Sequence, residues 1–94
     1  MKTIHKYAID KLEGEFTLQL PIDAAVRHTE YLFAQRKIVL WVEVDADVFI
    51  KPENLVERIF HVYKTGQGIP STAIYVSSCL DQYIPETYHI YELK

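Results

Sequence analysis

The chain has 94 residues, a formal net charge of −3 and a pI near 5.7. Hydrophobic residues make up 49% and charged residues 24%, enough apolar material for one small core and too much for a disordered chain. The ten basic residues are scattered rather than gathered in a stripe, which argues against a nucleic-acid partner.

Residues 3–9 read as a first strand. Residues 10–14 form a turn in which Gly14 is free to take positive φ. Residues 15–20 alternate, with Phe16, Leu18 and Leu20 on one side and Thr17 and Gln19 on the other, so the first two strands are expected to form a hairpin. Pro21 has no N–H to give a ladder and ends the second strand.

Residues 23–37 admit two readings. As a helix, Asp23 caps it and Ala25, Thr29, Leu32, Phe33 and Arg36 share a face. As a strand, Thr29, Tyr31 and Phe33 alternate before a turn at 34–37. Local propensity mildly favours the helix.

The strongest stretch follows: Ile38, Val39, Leu40, Trp41, Val42, Glu43, Val44 and Asp45. β-branched and aromatic residues suit a pleated surface, and both faces are apolar up to Glu43, so this is a strand in the middle of a sheet. Trp41, the sole tryptophan, is expected to anchor the core.

Residues 52–64 again read two ways. Pro52 in a first turn, Gly66 past the end and Leu55, Val56, Ile59, Phe60 and Tyr63 at helical spacing suggest a helix, whereas 59–63 alone make a good strand. Residues 65–70 are a loop, 72–78 a strand, 81–87 a loop around Pro85, and 88–93 a closing strand.

The single cysteine, Cys79, excludes an intrachain disulfide and fits a reducing cytoplasm. It reads as a small buried residue. No leader-like segment and no apolar run of about 18 residues is present, so neither secretion nor membrane insertion is expected.

Several groups are candidates for chemistry. His5, His28, His61 and His89 show no metal-ligand spacing, though His61 and His89 could meet on adjacent strands. Lys64, Thr65, Gly66, Gln67 and Gly68 could cradle an anion such as a nucleotide phosphate, because two glycines free backbone N–H groups and Lys64 supplies charge. Glu43 and Asp45 share a strand face, with Asp47 beyond. Tyr31, Tyr63, Tyr75, Tyr83, Tyr88 and Tyr91 form a tyrosine set suited to contact surfaces or to cross-strand packing. No nucleophile–base–orienter set is visible, so no enzyme is expected, and no cofactor or metal either.

Five segments together resemble a family of small uncharacterised phage and prophage proteins. They are Ile4-His5-Lys6-Tyr7, Leu20-Pro21, Leu40 to Asp45, Phe60 to Ile69, and Tyr88-His89-Ile90-Tyr91-Glu92. The chain departs from the family pattern at Gln67-Gly68 and at Tyr88. The resemblance spans nearly the whole chain and implies strands at 26–33 and 58–64, which decides the two ambiguous segments. The expected fold is therefore mainly β, a small single-domain antiparallel sheet or sandwich of about six or seven strands. The alternative is α+β with helices near 23–36 and 52–64.

The expected function is binding in the host-cell cytoplasm, through a protein partner that is either a second copy or a host factor. A homodimer would use a terminal strand, with Tyr7, Tyr88 and Tyr91 at the contact. The alternative is a small-ligand or nucleotide module built on residues 64–69.

Overall fold

A computed structural model describes residues 1–47 and 52–94. Seven strands follow in order: β1 Lys2–Ile9, β2 Gly14–Pro21, β3 Ala25–Leu32, β4 Lys37–Asp45, β5 Leu55–Lys64, β6 Ile74–Asp81 and β7 Glu86–Leu93. A short 3-10 turn, Pro52–Asn54, leads into β5. No α-helix occurs among the described residues. Both ambiguous segments are strands, and the α+β alternative is set aside: helical spacing in 23–36 and 52–64 yields to the cross-strand partners that β4 and β7 provide.

The strands form two antiparallel sheets, ordered β1-β4-β3 and β2-β5-β7-β6. β4 is central in its sheet, as its two apolar faces require. Ile38, Leu40, Val42 and Val44 point inward and join Phe16, Leu20, Phe60, Val62, Cys79, Tyr88 and Ile90 in one core. Phe16 and Phe60 face each other across β2 and β5 with rings stacked at 5.3 Å.

Three expectations are corrected. First, β1 and β2 do not form a hairpin: β1 pairs with β4 and β2 with β5, so residues 10–13 cross between sheets. Alternation reveals which face of a strand is apolar but not which strand it pairs with, and half-buried Leu12 draws the crossing turn onto the core. Second, Trp41 is not a core anchor. It lies half-buried on the outward face of β4, its ring 5.4 Å from that of His28. Where both faces of a strand are apolar, alternation alone does not say which one meets the second sheet. Third, β7 is not an edge: it lies between β5 and β6, which run parallel to one another on either side of it.

The sandwich is closed along one side. Edge strands β3 and β6 each carry a register shift, at Val26/His28 and at Tyr75/Ser77. Bulges bend and twist an edge. Just past them the Thr29 hydroxyl donates to Ser77 Oγ at 2.8 Å, joining the two sheets. The opposite side, between β1 and β2, has no such link among the described residues.

Candidate functional site

The loop nominated from its glycines starts at the end of β5. Gly66 takes φ +95°, which residues with a Cβ rarely adopt, and the Gln67 amide donates to Lys64 O at 3.1 Å, closing a tight turn. The Gln67 side chain completes it. Its Oε1 accepts from the Lys64 amide at 2.8 Å, and its Nε2 donates to Glu13 at 2.7 Å. The Lys64 ammonium stands 4.0 Å from the same Glu13 carboxylate. The Gln67 side chain thus occupies the Lys64 amide, and the carboxylate beside the turn's one cation opposes an anionic ligand.

Thr65 ties this loop to the outward face of the four-stranded sheet. Its hydroxyl meets His89 Nε2 at 2.9 Å, His89 Nδ1 meets Ser78 Oγ at 3.0 Å, and Ser78 Oγ meets the Tyr75 hydroxyl at 3.0 Å. Around this chain lie Tyr91, edge-on to both Tyr63 and Tyr75, and His61, stacked on Tyr63 at 4.0 Å. His61 and His89 are not paired: the register sets His61 against Tyr91 and Tyr63 against His89.

The chain Thr65–His89–Ser78–Tyr75 was not legible in the sequence, because its four members lie on two strands and a loop. It brings a hydroxyl and an imidazole within reach. The third partner, however, is a hydroxyl rather than a carboxylate, and Ser78 sits in mid-strand rather than on a sharp turn. What it does well is fix ring orientations: neutral imidazole donates from one nitrogen and accepts at the other, and hydroxyls adapt to either.

The nominated contact tyrosines separate. Tyr88 is 2% exposed in the core, its ring 5.3 Å from that of Tyr31, and burial pushes its hydroxyl pKa up. It supplies no surface. Tyr7 is half-buried on the inward face of edge strand β1, and Tyr91 is half-buried on the outward face of interior strand β7. Of the three, only Tyr7 lies on an edge.

The acidic run near β4 is a clasp. Glu43 accepts from Arg27 at 2.9 Å and from Lys2 at 3.4 Å, and the Arg27 hydrogen bond holds its carboxyl below the usual range. Asp45 accepts from the Asp47 amide, and Asp47 pairs with the amino group of Met1 at 2.8 Å. Cys79 is buried, and loss of hydration pushes its thiol up to about 11, so it is a core residue rather than a nucleophile.

Arg58 and Glu92 went unnoticed in the sequence. They lie on the inward faces of β5 and β7, with Arg58 Nε 2.8 Å and Nη2 2.7 Å from the two Glu92 oxygens. Arg58 also donates to Ala24 O and stands over the Phe60 ring at 5.6 Å. The bidentate pair lowers the pKa of Glu92 and raises that of Arg58. The sequence signal was a charge on the apolar side of each strand's alternation.

At the end of the sandwich that carries the hairpin turns, the β3–β4 and β6–β7 turns approach each other. Phe33 and Tyr83, one from each, have ring centroids 4.3 Å apart. Gln82 and Tyr83 stand beside Asp81, which accepts from the Tyr83 amide at 3.0 Å.

No helix among the described residues is long and apolar enough to cross a membrane. The chain belongs to the family described as domain of unknown function DUF7352, whose model matches residues 1–94. Compared with the curated proteins and with the solved structures, the chain matches none.

Proposed function

We propose that this is a phage- or prophage-type cytoplasmic protein that acts by binding a protein partner rather than by catalysis, and that its first partner is a second copy of itself. The observation that carries this reading is β1. It is an edge strand of eight residues, Lys2–Ile9, paired among the described residues on one side only, on the side of the sandwich where no bond between sheets is found among them. An unpaired edge templates another strand, and two copies of one edge pair most simply about a two-fold axis.

The outward face of β1 presents Ile4, 48% exposed, between Lys2 and Lys6. Half-buried Tyr7 and Leu18 flank the open side from within. Antiparallel pairing of β1 with its copy would extend β1-β4-β3 into a six-stranded sheet across the dimer and cover these residues. The test is the mass in solution of the intact chain against Ile4→Lys, a change at an exposed position that adds a third positive charge to the face carrying Lys2 and Lys6. A host factor adding its own strand to β1 is the same mode with a different partner, and would leave the free chain monomeric.

A nucleotide-binding role for Lys64 to Ile69 is the second reading. Glu13 beside Lys64, and the Lys64 amide already taken by the Gln67 side chain, weigh against it.

A further inference from the structure

Beside the Phe33–Tyr83 contact lies a cavity of about 230 Å³, lined by Tyr31, Phe33, Leu80, Asp81, Gln82 and Tyr83. Three of the six are aromatic, from two different hairpins. They are graded by depth: Tyr83 is 65% exposed, Phe33 48%, Tyr31 half-buried, and Asp81 2%. By exposure the outer lining is therefore Tyr83, Phe33, Leu80 and Gln82, and the inner lining, or floor, is the Tyr31 ring and the Asp81 carboxylate.

The floor is electrostatically one-sided. Asp81 receives one hydrogen bond from the Tyr83 amide, and among the described residues no Lys, Arg or His nitrogen forms an ion pair with it. Among the described residues, no basic one lines the cavity. A carboxylate this buried gains from a cation brought to it. Aromatic faces add to that preference, because the ring quadrupole attracts a positive charge, most of all one that is weakly hydrated. Anions meet the opposite field. A purely apolar ligand would gain the rings but leave Asp81 as it is.

From this we propose that the cavity between the two hairpin turns is a binding site for an alkylated ammonium head group, held by Tyr31, Phe33 and Tyr83 with Asp81 as counter-ion. The same chemistry occurs in a free quaternary amine and in a methylated lysine of another protein. The site lies on β3, β6 and their turns, away from edge strand β1, so it stands or falls independently of self-association.

The test is a titration of the full-length chain with choline chloride, followed by amide NMR. Sodium chloride serves as the ionic control and 3,3-dimethyl-1-butanol as the uncharged isostere. Choline is expected to move the Phe33, Asp81 and Tyr83 amides saturably. The isostere should bind about threefold or more weakly, and Tyr83→Leu should weaken choline by a similar factor, the size of one cation–π contact at a part-exposed site. Asp81→Asn should weaken choline as well. If that buried change unfolds the chain, Tyr83→Leu at an exposed position still decides. A trimethyllysine peptide binding more tightly than choline assigns the ligand to a protein, and the reverse order to a free amine; both support the site. Equal binding of the isostere, shifts no different from those of sodium chloride, or an unchanged affinity in Tyr83→Leu would overturn it.

Discussion

Thr29 and Ser77 face each other across the gap between the two sheets, hydroxyl to hydroxyl at 2.8 Å, each just past a bulge in its own edge strand. Thr29 is 2% exposed. This bond, together with that from Arg58 on β5 to Ala24 O just before β3, marks the closed side of the sandwich and leaves β1 and β2 to define the open one.

That bond predicts a measurable coupling. Thr29→Val and Ser77→Ala should each destabilise by about 1 kcal/mol, and the double variant by less than their sum, with an interaction of about 0.5–1.5 kcal/mol. A double-mutant cycle in urea reads this directly. Additive effects would mean that the two hydroxyls close nothing together.

The Arg58–Glu92 pair predicts an acid-side loss of stability. The folded pKa of Glu92 is depressed, chiefly by the Arg58 hydrogen bond. Its contribution is therefore present above the unfolded carboxylate value, about 4.3, and is lost as pH falls through the lower folded value. Glu92→Gln should cost about 2–4 kcal/mol at neutral pH, because it strands a part-buried guanidinium. It should also flatten the dependence of stability on pH between neutrality and the acid range. Denaturant midpoints measured across that range check both effects, and parallel curves for the two proteins would contradict the assignment.

Trp41 and Phe60 give a test of which face is the core. Phe60 is 0% exposed and stacked on Phe16, whereas Trp41 is half-buried on the outside. Phe60→Ala should cost about 3–5 kcal/mol, and Trp41→Ala distinctly less despite its larger ring. Equal losses in thermal or chemical unfolding would place Trp41 inside.

The strands themselves were legible because β propensity and alternation act locally: the apolar inward set of β2 and the central place of β4 follow from the residues alone. For β3 and β5 local pattern pointed to helices. Only the resemblance to other chains turned them into strands, because the pairing that overrides propensity is supplied by β4 and β7, which lie downstream of each in sequence. Pairing partners were not legible. The turn at 10–13 looks like a hairpin turn, and nothing within 3–20 shows that the two strands belong to different sheets. The site residues divide on the same ground. Lys64 to Gly68 announce a turn, which they form, but the Glu13 carboxylate that meets Gln67 and stands beside Lys64 comes from another connection. Tyr88 and Tyr91 have the same composition signal and opposite burial, because side-chain period places residues three apart on opposite faces of β7.

The Glu13 carboxylate beside Lys64 predicts no thermal stabilisation by nucleotides. A ligand present at about 100 times its dissociation constant would add roughly 2.7 kcal/mol and raise the melting temperature by several degrees. A nucleotide panel at millimolar concentration should leave it unchanged, and Glu13→Gln, which removes the opposing carboxylate, is the variant in which a shift is most readily seen. A clear rise with the unaltered chain would restore the nucleotide reading.

Self-association through β1 is tested most directly by multi-angle light scattering on the intact chain and on Ile4→Lys, at micromolar concentrations. The chain mass is 11.0 kDa. The unaltered protein is expected at about twice that mass, as an isologous dimer, and Ile4→Lys at the mass of one chain with an unchanged circular dichroism spectrum. A mass of one chain for the unaltered protein, or a dimer that Ile4→Lys leaves intact, would contradict pairing of β1 with its copy.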